Sequence, residues 1–380
     1  MRLLSIAIAV LTLGSYSIAM AMPTQLPGLL REPFMLDVTR PDGRHASLDA
    51  LLTRPDRPGR FPLAVISAGL PRDAAARTRE APENYSGPAI VFAQHGYAAV
   101  VVERRGDGRS SGVPFVDFGP CDDRHYPIAG RVWAEDILSA VSSLRREPWA
   151  DPDRIVLVGH SAGGFADLAA ALQAPAGVAG IIDFAGALGS PRPDFVCQPE
   201  RLVETMHEFG AGARVPSLWL YAANDHFFGP QLARQMFDAY AAGGAPAEFD
   251  AAPPFGRDGH ALIFAAAPAL WWPRVAEFLT HLHLPAQLVV DLPPPAMLPV
   301  PAGLDALGQE DFTGYVASRS YEKAFVTNGS GHYGIAFGQR SQQDAVAVAL
   351  DHCKQHGWAC SVYATGNTLA EGQGGGNPQH

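Results

Sequence analysis

The segment Gly-His-Ser-Ala-Gly at residues 159–163 constrains the fold of this 380-residue chain more than any other. An apolar run at residues 155–158 leads directly into it, and mostly small residues follow as far as about Gln173. The run is typical of a buried strand, and the small residues predict a helix that packs closely on that strand. Ser161 would then occupy a sharp turn, where the flanking glycines let strand and helix approach each other.

Residues 60–284 alternate between short apolar runs and amphipathic segments. This alternation predicts an α/β architecture, a mostly parallel sheet with helices on both faces. The turn Pro41-Asp42-Gly43 comes earlier, and the segments that flank it, residues 34–37 and 48–54, predict a hairpin at one edge of the sheet. The predicted strands are residues 62–67, 97–103, 155–158, 181–182 and 217–222, and the predicted helices are residues 133–144, 231–242 and 269–282.

The alternating pattern ends at Leu284. Residues 285–301 contain six prolines, which predicts a stiff, extended linker. Beyond it, a helix from Ser341 to His356 and short strands around it predict a small α+β domain. The predicted organisation is a signal peptide at residues 1–21, an α/β domain at 22–284, a linker at 285–311, a small domain at 312–368 and a disordered tail at 369–380.

The first residues have the pattern of an export signal. Arg2 is followed by an apolar run at residues 3–13 and by Ala19-Met20-Ala21, a small-x-small cleavage site. Because the run is short for a membrane span, we expect cleavage after residue 21 and a mature protein that is periplasmic or secreted. An uncleaved anchor is the alternative.

Four cysteines are consistent with an oxidising compartment, where an even number favours two disulfides. Cys353 and Cys360 are close in sequence and would close a small loop, and Cys121 and Cys197 would form the other pair. The second bridge would tie two loops into a cap over the expected site. Free buried thiols are the alternative.

Ser161 occupies the serine position of a G-x-S-x-G motif, in which the hydroxyl stands at the start of a helix, clear of the sheet. In this motif an acid and then a histidine follow the serine in chain order. Asp225 lies just past the strand at residues 217–222, where ligands bind in such sheets, and would orient the histidine. His260 would take the proton of Ser161. The alternative is a Gly-rich turn without catalysis.

Other acids and histidines lie close to these positions in the sequence. Asp183 follows another predicted strand and is the second candidate for the acid that orients the histidine. Asp258 is not chosen as this acid because it is too close to His260 in sequence. His226 is expected to line the site. The alternative interpretation of Asp225 is that it caps a helix or stabilises a turn. The alternative interpretation of His260 is that it is a histidine of a surface loop.

An oxyanion intermediate needs two backbone N–H donors. Ala162, which follows the serine, would supply one, and Leu70, in the loop after the strand at residues 62–67, would supply the other. Such a site needs no metal and no organic cofactor. The net charge of −10 and the lack of a basic stripe make nucleic acid an unexpected partner, and a small-molecule ester is the expected substrate.

Residues 30–284 resemble the dienelactone-hydrolase-like branch of the α/β-hydrolase superfamily. The resemblance implies an α/β-hydrolase fold and a hydrolase. Founding members of the branch are cytoplasmic and use a cysteine nucleophile, whereas this chain has Ser161 and an export signal. The resemblance therefore implies a secreted esterase, but it does not imply the substrate of the founding members. The matching segments are residues 159–164, Arg105-Gly106-Asp107-Gly108-Arg109-Ser110, Asp151-Pro152-Asp153-Arg154, Asn224-Asp225 and Asp258-Gly259-His260.

Residues 321–364 resemble a small domain of unknown function from secreted bacterial proteins, through Gly331-His332-Tyr333-Gly334-Ile335-Ala336 and the two nearby cysteines. This resemblance implies no activity and leaves open contact with the cell envelope, a partner or the substrate. For the whole chain, ester hydrolysis through an acyl-enzyme is the leading hypothesis. The alternatives are a peptidase or amidase that uses the same three residues, and a binding protein on a hydrolase scaffold.

Overall fold

The structure is a computed structural model that describes residues 26–71, 73–265, 268–294 and 297–371. The expected signal peptide and the tail beyond residue 371 lie outside the described residues. Within the described ranges, no helix is long and apolar enough to cross a membrane.

Residues 26–284, here called the sheet domain, contain an eight-stranded sheet. Its strands are β1 (Leu29–Thr39), β2 (His45–Pro55), β3 (Phe61–Ser67), β4 (Ala98–Val102), β5 (Ala150–His160), β6 (Val178–Phe184), β7 (Ser217–Ala222) and β8 (Ala247–Ala252). They lie side by side in the order β1-β2-β4-β3-β5-β6-β7-β8. The pairs β1–β2 and β2–β4 are antiparallel and the other neighbours are parallel. The predicted mostly parallel sheet with an antiparallel hairpin at its edge is therefore confirmed.

Helices cover both faces of this sheet. They are α1 (Ala74–Arg77), α2 (Ser86–Gln94), α3 (Tyr126–Leu144), α4 (Ala162–Ala170), α5 (Pro199–Gly212), α6 (Pro230–Ala242), α7 (Leu262–Ala265) and α8 (Trp272–His281), with 3-10 turns at Pro82–Tyr85, Ala171–Gln173, Gly259–Ala261 and Pro268–Leu270. On one face α3 to α6 bury side chains such as Trp133 and Phe165. On the other face α2, α7 and α8 bury Phe92 and Phe278. Two cores thus enclose the parallel strands, as their continuous apolar runs require.

Residues 298–371, here called the C-terminal unit, contain a separate antiparallel sheet. Its elements are α9 (Ala306–Ala317), β9 (Ala324–Thr327), β10 (Tyr333–Ala336), α10 (Gln342–Gln355), β11 (Ser361–Thr365) and β12 (Thr368–Leu369), with the strands in the order β10-β9-β11-β12. Ser341 caps α10 by accepting the backbone N–H of Asp344. Helix α9 begins before the predicted boundary at residue 312, because Leu304 and Phe312 share one core. The family resemblance of this unit stays a prediction.

The Pro-rich segment packs along the sheet domain. The hydroxyl of Tyr97 donates to the backbone oxygen of Pro285 at 2.8 Å, and the backbone N–H of Val289 donates to the backbone oxygen of Gln94 at 2.8 Å. Leu292 is buried in a small apolar cluster. An extended chain has backbone groups to satisfy, and the edge of the sheet domain satisfies several of them here.

Charged side chains join the C-terminal unit to the sheet domain. Arg31 on β1 donates to both carboxylate oxygens of Glu322 at 2.8 and 3.2 Å, and both side chains are buried. Arg340 donates to Asp49 at 2.5 Å and to the backbone oxygen of Glu80 at 2.9 Å. Bidentate and charge-assisted bonds of this kind are directional, so they hold the unit in one orientation.

Candidate functional site

Ser161 lies at a sharp turn between β5 and α4. Its φ of 53° is in the left-handed region, which a residue with a side chain occupies only at a cost in free energy. A Cβ at Gly163 would lie 2.1 Å from the backbone oxygen of Ser67, and one at Gly159 would lie 2.3 Å from the Cα of Gly164. The glycines are therefore required, because strand and helix approach too closely for any side chain.

His260 and Asp225 form a buried pair. Nδ1 of His260 lies 3.0 Å from Oδ2 of Asp225. The other oxygen of Asp225 accepts the backbone N–H groups of Phe227 and Phe228 at 2.7 and 2.8 Å. The His260 ring stacks on Phe227 with centroids 3.9 Å apart. Since a carboxylate only accepts hydrogen bonds, Nδ1 carries the proton and Nε2 is left as a base.

The other two acids near the site have different roles. Asp183 is fully buried and accepts the hydroxyl of Tyr221 at 3.4 Å, and burial raises its pKa well above the usual range. Asp258 accepts the backbone N–H groups of His226 and His260, both at 3.0 Å, and so caps the turn that carries His260. The side chain of His226 points to the surface, where it pairs with an exposed aspartate.

A hydrogen-bonded chain beneath Ser161 involves two residues that the sequence did not single out. His160 Nε2 lies 2.9 Å from the backbone oxygen of His260, and its Nδ1 lies 3.0 Å from the hydroxyl of Tyr85. Since a carbonyl only accepts, Nε2 donates and Nδ1 accepts from Tyr85. That hydroxyl in turn accepts the backbone N–H of Gly69 at 2.6 Å. Burial, with the neighbouring His260, lowers the pKa of His160 well below the usual range, which keeps it neutral in this chain.

The loop after β3 is oriented by a buried arginine. Arg104 donates to the backbone oxygens of Ala68 and Gly69, both at 2.6 Å. In a trans peptide the carbonyl and the next N–H point in opposite directions, so the N–H of Leu70 points away from Arg104. Because Tyr85 already occupies the N–H of Gly69, Leu70, which lines a cavity together with Ser161, is the candidate donor in this loop. The sequence also named Leu70 as a candidate, but it gave no indication of Arg104.

Ser161 lines two cavities. The larger, of about 1190 Å³, is also lined by His160, His260 and residues of the C-terminal unit. The smaller, of about 190 Å³, is also lined by Leu70 and Ala162. No hydrogen bond joins the Ser161 hydroxyl to the His260 ring in the described part of the chain, and such bonds often tighten only when substrate is present.

Both predicted cysteine pairs form disulfides, Cys121–Cys197 and Cys353–Cys360. Next to the first bridge, Arg124 donates to the sulfur of Cys197 at 3.3 Å. Arg124 also lines the smaller cavity, so this bridge ties together the loops beside that cavity. The second bridge closes α10 onto the segment before β11. The described residues contain no group of three or more His, Cys, Asp or Glu placed to hold a metal ion.

Part of the chain is similar to a known protein family. The family model for X-Pro dipeptidyl-peptidase (S15 family) matches residues 42–210, which include Ser161 and end before Asp225 and His260. No curated protein sequence matches the chain significantly.

Some solved structures are similar to this chain at low sequence identity. An esterase of Pyrococcus furiosus is 16% identical, with a TM-score of 0.47, over 66% of this chain and 92% of its own. A Klebsiella pneumoniae protein assigned as a dienelactone hydrolase is 17% identical, with a TM-score of 0.46, over 67% and 98%. An acylaminoacyl peptidase of Pyrococcus horikoshii is 18% identical, with a TM-score of 0.46, over 67% and 41%. The eight-stranded, mostly parallel sheet with helices on both faces is an α/β architecture, and residues 42–210 are similar to a family of peptidases.

Proposed function

We propose that this chain is an exported enzyme that hydrolyses small-molecule carboxylic esters through an acyl-enzyme on Ser161. The observation that carries the proposal is the buried pair of His260 and Asp225, 3.0 Å apart, whose histidine shares a cavity with a serine on a strained strand-to-helix turn. A base oriented by a carboxylate is what a hydroxyl nucleophile needs. The two disulfides are compatible with export.

The reaction follows from the positions of these groups. Oγ of Ser161 attacks the ester carbonyl while Nε2 of His260 takes its proton, and the backbone N–H groups of Leu70 and Ala162 hold the oxyanion. Collapse of the tetrahedral intermediate expels the alcohol, which takes the proton from His260. Water then attacks the acyl-enzyme by the same route, releasing the carboxylic acid and restoring the Ser161 hydroxyl.

Substitution of the nucleophile tests this proposal. Ser161→Ala should lower kcat for p-nitrophenyl acetate on the order of 10⁶-fold and abolish fluorophosphonate labelling, while Asp225→Asn should lower kcat roughly 10⁴-fold. Peptide mass spectrometry of the labelled wild type should find the adduct on Ser161. The matched control is Ser139→Ala, a buried serine on α3 that lines neither cavity. Labelling that persists in Ser161→Ala would refute the assignment.

Amide or peptide hydrolysis on the same residues is the second candidate. The match of residues 42–210 to a peptidase family favours it. Both reactions share the acyl-enzyme, so they differ in how fast the leaving group departs. Rates for matched p-nitrophenyl esters and p-nitroanilides of the same acyl group, measured on one preparation, would rank the two activities. An anilide rate that equals the ester rate would favour the peptidase.

A further inference from the structure

The C-terminal unit forms one wall of the larger cavity. Thr313 and Gly314 on α9 line it, together with Ile335 on β10 and Phe337 just after that strand. Ser161 lines the same cavity from the sheet domain. A volume of about 1190 Å³ lies above the range of roughly 300–1,000 Å³ typical of small-molecule pockets. An acetyl group would leave most of this space empty.

Both parts of the chain contribute aromatic side chains to the cavity. Phe337 is 40% exposed, although burial of such a ring is normally favourable. Phe255 and Phe264 of the sheet domain line the same cavity. An exposed aromatic ring in a cavity that other rings also line is typical of a binding surface for apolar groups.

The charges in the cavity disfavour an anionic substrate. Its lining includes the carboxyl groups of Glu80, Asp258, Glu310 and Asp311, and Arg257 is the one lysine or arginine among its described lining residues. Arg257 is already paired with Asp311 at 2.8 Å. Burial raises the pKa of Glu80, but the balance of the lining stays negative, which repels anions.

The wall is held in position by a hydrogen bond within the C-terminal unit and by an ion pair to the sheet domain. The backbone N–H of Gly338, next to Phe337, donates to the hydroxyl of Ser320 at 3.0 Å. The neighbouring Arg340 reaches Asp49 of the sheet domain at 2.5 Å. A wall fixed in this way is preformed, and a substrate therefore loses less free energy to ordering when it binds.

We infer that the C-terminal unit completes the substrate site and selects esters that carry a bulky, uncharged apolar group. Phe337 supplies the contact surface, and Gly314 leaves the space that the group occupies. This inference rests on the proposed ester hydrolysis at Ser161.

Two substitutions in the full chain test it. Phe337→Ala should lower kcat/KM for p-nitrophenyl octanoate roughly tenfold, because it removes the contact surface. A Cβ at Gly314 would have no heavy atom within 4 Å, so Gly314→Phe should fit into the open space, strengthen the helix and produce a similar loss by filling the cavity. Hydrolysis of p-nitrophenyl acetate should fall less than that of the octanoate in both variants, so the ratio of octanoate to acetate rates should fall.

Matched controls come from the same helix. Leu307→Ala removes an exposed apolar side chain of α9 that lines no part of the cavity, and Gly314→Ala adds only a methyl group. Both should keep the wild-type ratio of octanoate to acetate rates. Circular dichroism and acetate turnover show whether each variant is folded.

The possible results separate the two proposals. An unchanged octanoate-to-acetate ratio in both Phe337→Ala and Gly314→Phe, with acetate hydrolysis intact, would overturn the role of the C-terminal unit alone. A wild type that neither labels at Ser161 nor hydrolyses any ester would overturn the proposed function and this inference with it. A preference for the anionic p-nitrophenyl hemisuccinate over the uncharged p-nitrophenyl valerate, which is similar in size, would also overturn the inference.

Discussion

The sheet domain and the C-terminal unit are stabilised in different ways. The sheet domain has two large cores around its sheet, and its candidate site depends on backbone turns that those cores support. The C-terminal unit has two small cores, a disulfide and the buried pair of Arg31 and Glu322 across its boundary. Small units bury too little apolar surface to be secure alone. We conclude that the sheet domain holds the chemistry, while the C-terminal unit contributes to the site only as far as it stays docked.

The two parts also bury ionisable groups of opposite type, an acid and a base. Glu103 in the sheet domain is buried, and neither carboxyl oxygen has a hydrogen-bond partner among the described residues. Desolvation raises its pKa to about 8. Lys323 in the C-terminal unit donates to the backbone oxygens of Tyr315 and Ser318, both at 2.7 Å, and desolvation lowers its pKa to about 7. The stability of the two parts should therefore respond to pH in opposite directions.

The largest effect on stability is expected from breaking the docking pair. Glu322→Gln leaves the buried guanidinium of Arg31 without its counter-ion, and loss of one partner of such a pair costs about 3–5 kcal/mol. Urea unfolding with the disulfides intact measures it. The control is Glu204→Gln, which removes an exposed pair with Arg201 worth about 0–1 kcal/mol. Equal losses in the two variants would show that the buried pair does not hold the unit.

A smaller effect is expected from the chain of hydrogen bonds under Ser161. Tyr85→Phe removes the bonds to His160 and Gly69 and should lower kcat roughly ten- to hundredfold with little change in KM, since small displacements in a catalytic loop are costly. Tyr97→Phe, which also loses a buried hydroxyl bond, should leave kcat unchanged.

A conservative variant separates positioning from simple destabilisation. His160→Gln keeps an acceptor for Tyr85 and a donor for the backbone oxygen of His260, so it should retain more activity than His160→Leu. If both His160 variants and Tyr97→Phe lose kcat equally, the chain of hydrogen bonds has no positioning role.

The effect that is smallest over a single pH unit is a change in the pH dependence of stability. Between the ordinary pKa of 4.5 and the folded value of about 8 for Glu103, the folded protein holds a proton that the unfolded chain has lost, so stability falls as pH rises. Glu103→Gln should remove this fall, about 1.4 kcal/mol per pH unit. For Lys323, stability should rise with pH from about 7 towards 10.5, and Lys323→Met should remove that rise.

Urea unfolding of both variants and the wild type at pH 5.5, 7 and 9 tests these slopes. Each variant is compared with the wild type at the same pH, so that other titrating groups cancel. A variant whose free energy of unfolding stays parallel to that of the wild type over the relevant window would contradict the assigned group.

The succession of strands and helices along the chain and the position of Ser161 were predictable from the sequence, because both depend on local patterns. A run of apolar residues that ends in Gly-His-Ser-Ala-Gly specifies a strand, a turn and a helix within a few residues. Asp225 and His260 were named as candidates for the same reason, since each follows a segment recognisable as a strand or turn. The hairpin at the sheet edge was specified by its turn residues.

Other features depend on contacts between residues far apart in the chain. The Pro-rich segment has the composition of a free spacer, yet it binds the edge of the sheet domain through backbone groups that composition does not describe. Tyr85 meets His160 across 75 positions, and Arg31 meets Glu322 across 291. No periodicity links such residues, because only the packed fold brings them together.

The sequence by itself determined that this chain has a serine on a strand-to-helix turn, since glycine, strand and helix preferences act within a few residues of each other. Only the tertiary structure decided what surrounds that serine. Arg104 orients the loop that contains Leu70. Hydrogen bonds of Tyr85 and His160 connect that loop to the turn at Ser161. The C-terminal unit lines the larger cavity with Phe337. These contacts exist because two cores and a buried ion pair bring distant segments together, and buried polar groups must then find partners.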